Sequence, residues 1–170
     1  GLYTSPYLEQ FTNRMSINGV DIPRERLLEL VNRVRPLVEK IAADPAFGQP
    51  TEFEVVTALA LAYFGAESPD IVILEVGLGG RLDATNVVRP LVTAISTISL
   101  EHTQVLGNTV EDIAREKAGI IKEGSAVVTL AKDGALSVLE DACRRKNVPL
   151  LSFGQDFSAE KIAGNLNGQS

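Results

Sequence analysis

Cysteine is almost absent from this 170-residue chain: Cys143 stands alone, so neither an internal disulfide nor a thiolate metal cage can form. A reducing compartment is the natural setting for such a sequence. Histidine is equally scarce, with His102 the only one. No apolar run is long enough to span a bilayer, and Gly1-Leu2-Tyr3-Thr4 is neither basic nor followed by an apolar stretch. The reading therefore expects a soluble, cytoplasmic protein without a signal peptide or membrane partner. Lysine and arginine gather into no block, and the net charge is -6, which argues against nucleic acid as a partner. Phosphate ligands stay open, because a metal ion can carry positive charge into a site. An initiator methionine is also missing, which predicts that the chain begins inside a larger protein.

What is present is ordinary for a folded domain. Apolar residues make up 45% and charged residues 22% of the chain, and its length suits one domain with a real core. Residues 1–5 read as the end of a buried strand that runs into a loop at Ser5-Pro6. Asn18-Gly19, between Arg14-Met15-Ser16-Ile17 and Val20-Asp21-Ile22, predicts a tight hairpin. Pro23 suits a helix start, and apolar residues from Leu27 to Ile41 keep helical spacing, with Pro36 expected to bend or interrupt the helix. Thr51-Glu52-Phe53-Glu54 is a capping box for a second, largely apolar helix.

Asp70 to Val76 is a continuous apolar, β-rich run, the mark of a central parallel strand covered on both faces. Leu91 to Leu100, Ser125 to Leu130 and Val148 to Phe153 predict further strands. Val110 to Ile121 and Leu136 to Lys146 predict the helices between them, and the tail beyond Gln155 is polar and weakly patterned. The alternation predicts an α/β fold, a mostly parallel sheet flanked by helices, with a small β-hairpin near the N-terminus. Ligands in such folds bind at the carboxyl ends of the strands, which directs attention to Ser5, to Glu75 through Asn86, and to Glu101-His102.

Glu75 ends an apolar strand, where a carboxylate is costly unless something pairs with it. Two readings are open: a buried carboxylate held by Arg81 or by backbone N–H groups, or a ligand for a hard cation such as Mg²⁺. Gly77-Leu78-Gly79-Gly80 follows it, either as a plain tight turn or to let backbone approach a ligand. It is not the dinucleotide fingerprint, because Leu82 stands where the third glycine belongs. His102, a lone histidine, has a structural reading, set against its place at a strand end beside Glu101. Lys117 is a solvated helix lysine by default, but if buried its amine can react with CO2. Ser5 is by default a turn residue. The chain contains no G-x-x-x-x-G-K-[ST] phosphate loop.

Taken in order, Tyr3-Thr4-Ser5-Pro6, the Arg14 to Ile22 hairpin, Thr51 to Glu54, Glu75 to Asn86, His102 to Thr109 and Glu116 to Lys122 resemble the folylpolyglutamate synthase and dihydrofolate synthase family of Mur-type ligases. The likeness covers about residues 1–125, and Glu75 to Asn86 is its most specific block. Tyr7 stands where many members have His, and Glu101 where Asp commonly precedes the histidine.

The resemblance implies the central ATP- and folate-binding domain, with the phosphate loop lying before Gly1 and a smaller C-terminal domain after Ser170. It implies that Ser5, Glu75 and His102 look like Mg²⁺ ligands. Lys117 looks like the lysine that becomes carbamylated beside a second metal, which would make Lys117 and His102 the catalytic residues. Thr51, Phe53, Asp83 and Ala84 resemble pterin-holding positions, with Phe53 stacking on the ring and Asp83 hydrogen-bonding it. The implied substrates are ATP, L-glutamate and folate or dihydropteroate, joined through an acyl phosphate, in an enzyme that is usually a monomer. Two alternatives are a non-catalytic metal- or nucleotide-binding module and a cell-wall Mur-type peptide ligase. The Thr51 to Glu54 and Asp83 to Asn86 blocks disfavour the latter.

Overall fold

In the computed structural model the chain divides into two compact units, residues 1–78 with 83–87, and residues 79–82 with 88–170. The structure describes residues 1–160 and the backbone of Gly164–Asn165 and Gly168–Gln169, which pair as a short antiparallel ribbon. Within the polar tail expected after Gln155, residues 161–163, 166–167 and 170 lie outside the described residues.

The first unit is built on a four-stranded sheet. Strand β1 (Leu2–Tyr3) pairs antiparallel with β2 (Met15–Ile17), and β2 with β3 (Val20–Asp21). On its other side β1 pairs parallel with β4 (Ile73–Leu74), in register Tyr3 to Leu74. The hairpin turns at Asn18 and Gly19, whose φ angles of 52° and 77° are the two positive values that a tight, strand-matched turn requires.

Helix α1 (Arg24–Ala42) begins directly after Pro23 and runs past Pro36 without a break, so the expected interruption does not occur. Pro36 removes the N–H that would bond the Asn32 carbonyl, but both residues are exposed, and water can take that acceptor. Helix α2 (Glu52–Glu67) starts at the predicted capping box: Glu54 N–H donates to Thr51 Oγ1 at 3.2 Å, and Thr51 N–H donates to Glu54 Oε2 at 2.7 Å. Tyr3, Met15, Ile22, Leu30, Val56, Leu59, Ala60, Tyr63 and Phe64 close the core of this unit.

The second unit carries three strands, β5 (Val92–Ile95), β6 (Ala126–Thr129) and β7 (Leu150–Ser152), paired parallel in that order. Between them come the single turn α3 (Thr103–Leu106), α4 (Val110–Ala118) and α5 (Asp133–Lys146). Ile95, Ala114, Ile121, Val127, Leu139 and Cys143 are buried in one cluster, so the helices cover the sheet as the strand–helix alternation requires. The α/β class, the parallel pairing and the N-terminal hairpin are as expected. One strand differs. The apolar run before Glu75 pairs only with β1 among the described residues, and Ile71 and Ile73 are 68% and 62% exposed rather than covered on both faces. An apolar run sets β propensity, but which faces are covered depends on what packs there.

Candidate functional site

The carboxyl ends of β1 and β4 bring Ser5 and Glu75 together. Parallel pairing continues one residue beyond the strands, with Glu75 N–H donating to the Tyr3 carbonyl at 3.0 Å. That register sets the Glu75 carboxylate beside the next turn, where Ser5 N–H donates to Glu75 Oε2 at 2.8 Å. Glu75 is exposed rather than buried, so a backbone N–H and solvent meet its charge, and the expected desolvation problem does not arise. Among the described residues, neither Glu75 Oε1 nor the Ser5 hydroxyl has a hydrogen-bond partner. The two are a carboxylate and a hydroxyl, hard oxygen donors of the kind Mg²⁺ takes.

Past Glu75 the chain turns sharply, and Asp83 ties the turn. One carboxylate oxygen accepts from the N–H groups of Gly77 and Leu78, at 3.0 Å each, and the other from the N–H and hydroxyl of Thr85. A carboxylate has about four lone-pair positions, and here all four are in use. Asp83 therefore shapes the loop, and a bond from it to a bound ring would replace one of these four. Ala84 opens a 3-10 turn, Ala84–Val87, that packs on α2. The same helix start carries Thr51, which is exposed, and Phe53, which is half-buried. The Phe53 ring lies directly on Gly77: a Cβ there would meet it at 2.5 Å, which explains the glycine. Tyr3 stands beyond it, the two ring centroids 6.2 Å apart, and donates to or accepts from Thr57 at 3.0 Å. Burial raises the Tyr3 phenol above its ordinary value, so it stays protonated.

In the second unit, Gly79 to Leu82 lies along the end of α4. Arg81 N–H donates to the Glu116 carbonyl at 2.9 Å, and its guanidinium pairs with the Glu116 carboxylate at 3.1 Å. Gly80 has φ of 154°, and a Cβ on it would meet the Glu116 carbonyl oxygen at 2.9 Å. His102 is exposed and caps α3 in the left-handed region, with φ of 46°. Its neighbour Glu101 forms an ion pair with Lys117 at 2.8 Å, the two side chains 46% and 23% exposed. The hydrogen bond from Lys117, and then its charge, hold the Glu101 carboxyl below the usual carboxylate range.

The predicted site residues thus fall into two sets. Ser5, Thr51, Phe53, Glu75, Asp83 and Ala84 belong to the first unit, and His102 and Lys117 to the second. Among the described residues no group of three or more His, Cys, Asp or Glu gathers as a metal cage. Two features escaped the sequence reading. Nothing in the spacing links Glu101 to Lys117, or reveals that Arg14, in the strand-like stretch before the hairpin, is 9% exposed.

Parallel α/β units whose polar side chains crowd the carboxyl ends of the strands define a domain that handles a ligand at those ends. Among domains of that class, the chain belongs to the Mur ligase middle domain family, which matches residues 25–170.

It is 48% identical over 155 residues to the dihydrofolate synthase/folylpolyglutamate synthase of Bacillus subtilis, covering 90% of this chain and 36% of that protein. It is 40% identical over 163 residues to the folylpolyglutamate synthase of Lacticaseibacillus casei, covering 95% of this chain and 38% of that protein. Among solved structures, it is similar to Mycobacterium tuberculosis folylpolyglutamate synthase complexed with ADP and AMPPCP (TM-score 0.92, 32% identity, 99% of this chain and 40% of that one). It is similar also to an FPGS–AMPPCP–folate complex (TM-score 0.89, 37% identity, 99% of this chain and 44% of that one). The chain therefore spans well under half the length of these relatives.

Proposed function

We propose that this chain is the central domain of an ATP-dependent ligase that joins L-glutamate to a folate or to dihydropteroate. One observation carries the proposal furthest: Ser5 and Glu75 meet at 2.8 Å beside a Gly77 turn packed on Phe53, in a chain 48% identical to a dihydrofolate synthase/folylpolyglutamate synthase. The reaction this supports has two displacements. A substrate carboxylate attacks the γ-phosphate of ATP, giving an acyl phosphate and ADP, and the amine of glutamate then displaces phosphate to form the amide. Both steps concentrate negative charge.

Ser5 and Glu75, with His102, are the residues proposed to hold Mg²⁺, an ion that neutralises phosphate charge without proton transfer. Glu75 contributes a full charge, the Ser5 N–H orients its carboxylate, and the Ser5 hydroxyl adds a second oxygen. Lys117 is proposed to bind a second metal once carbamylated. An amine engaged by Glu101 is not available to CO2, so that chemistry requires the pair to open. Phe53 offers an aromatic face for a pterin, and Asp83 keeps the Gly77–Leu78 backbone in place beneath it. Thr51, at the start of α2, and Ala84, in the turn packed on that helix, are proposed to complete the pterin site. The full protein is proposed to act as a cytoplasmic monomer. Among the described residues no helix is long and apolar enough to cross a membrane, and Cys143 is free and buried.

The test is ADP release by the full-length protein with Mg²⁺, glutamate, and either folate or dihydropteroate. Release that needs both glutamate and the pterin substrate is expected, and the two pterins separate the two synthase activities. ATP binding with no pterin-dependent turnover would favour a non-catalytic module instead.

A further inference from the structure

Arg14 is the one charged side chain in the buried set of described residues, at 9% exposure. Its Nε and Nη1 are sealed from solvent and have no hydrogen-bond partner among the described residues. No ion pair there includes it. Asp21, on the strand paired with β2, accepts instead from Asn13 Nδ2 at 2.6 Å. What Arg14 has is aromatic cover: the Tyr7 ring at 5.5 Å and the Phe11 ring at 5.7 Å from its guanidinium carbon. Those rings are 6.1 Å apart and tilted. Cation–π attraction recovers part of the cost of burying the charge, but it leaves the N–H donors unsatisfied, and such donors are rare in folded proteins.

The cover is thin. Tyr7 is 45% exposed and Leu8, beside it, 93%. Both lie on the stretch that follows Ser5, and the Arg14 carbonyl accepts from Thr4 N–H at 3.0 Å. The main chain of Arg14 is thus tied to β1 beside Thr4, one residue from Ser5.

We infer that Arg14 is the receptor for a non-reacting carboxylate on the substrate, seated when the Tyr7 ring swings aside. A guanidinium matches a carboxylate in shape and charge and gains charge-assisted bonds from it. The reacting carboxylate is the poorer occupant, because it must keep an oxygen free to reach phosphorus. The occupant is therefore the second carboxylate of a tail such as a glutamyl group, which dihydropteroate lacks. This rests on the folate reading above and narrows it to substrates that already carry one glutamate.

The experiment uses the full-length protein and calorimetric titration with two probes, folate and folate whose α-carboxylate is a carboxamide, plus a melting curve. Wild type is expected to bind the acid at least about tenfold more tightly than the amide, and Arg14→Met to bind both alike. Because Met packs against both rings without a buried charge, free Arg14→Met should melt no lower than wild type. A variant that keeps the acid preference overturns the inference while leaving the folate reading intact. A variant that fails to fold, or melts several degrees lower, also overturns it, since the guanidinium would then serve the fold. Wild type that binds neither probe overturns the folate reading itself, and the inference with it.

Discussion

Glu101 and Lys117 hold each other at 2.8 Å at the edge of solvent, and Lys117 holds the Glu101 carboxyl below its ordinary range. Because the folded value lies below the unfolded one, the pair contributes stability that is present at neutral pH. That contribution fades as pH falls through the lowered value. With both side chains partly exposed it amounts to no more than about 1 kcal/mol. Glu101→Gln should therefore unfold in slightly less urea than wild type at neutral pH, and the gap should close in acid. The same variant frees the Lys117 amine, so ¹³CO2 labelling of Lys117 should rise. Glu75→Gln keeps an oxygen for the Ser5 N–H but loses the charge, and ligation by the full protein should fall by at least about a hundredfold in kcat with the melting temperature unchanged. Strand-end positions made Ser5, Glu75 and His102 legible as candidates, and the family resemblance added Lys117. Their partners were not, because Glu101 and Lys117 lie on different elements and no local pattern joins them.

At the scale of elements, α2 begins where its sequence says it should. Thr51 accepts from Glu54 N–H, and hydrogen bonds from Thr51, the backbone one foremost, hold the Glu54 carboxyl below its usual range. Thr51→Ala should cost about 1 kcal/mol, measured by chemical unfolding, and Thr51→Ser should restore most of it. The loop after Glu75 shows a different dependence. Gly80 has φ of 154° and sits against the Glu116 carbonyl, so Gly80→Ala combines backbone strain with a clash against main chain. A loss of about 1–3 kcal/mol is expected in the same measurement. Capping box, hairpin and helix periodicity are readable because each is a pattern over neighbouring residues. The helix is not interrupted at Pro36 because that effect depends on exposure: an outward-facing carbonyl that loses its partner can turn to water.

For the molecule as a whole, the 170 residues contain no phosphate-loop motif, and the relatives they match are more than twice as long. The isolated chain should therefore fail to release ADP in a glutamate- and folate-dependent manner, while the full-length protein does so. Ligation by the 170 residues alone would show that what the relatives carry beyond the matched span is dispensable. By itself the sequence determined the order and type of the elements, the parallel α/β class, the turns and caps, and the family, because these follow from periodicity, propensity and contiguous motifs. Tertiary structure alone decided which charges meet. Arg81 reaches Glu116 across 35 positions, Asp83 spends both oxygens on its own loop, and Arg14 is covered by two rings with no ion-pair partner among the described residues. The reason is physical: a charged side chain takes its partner from whatever the folded backbone brings within about 4 Å, and one sequence does not display that distance.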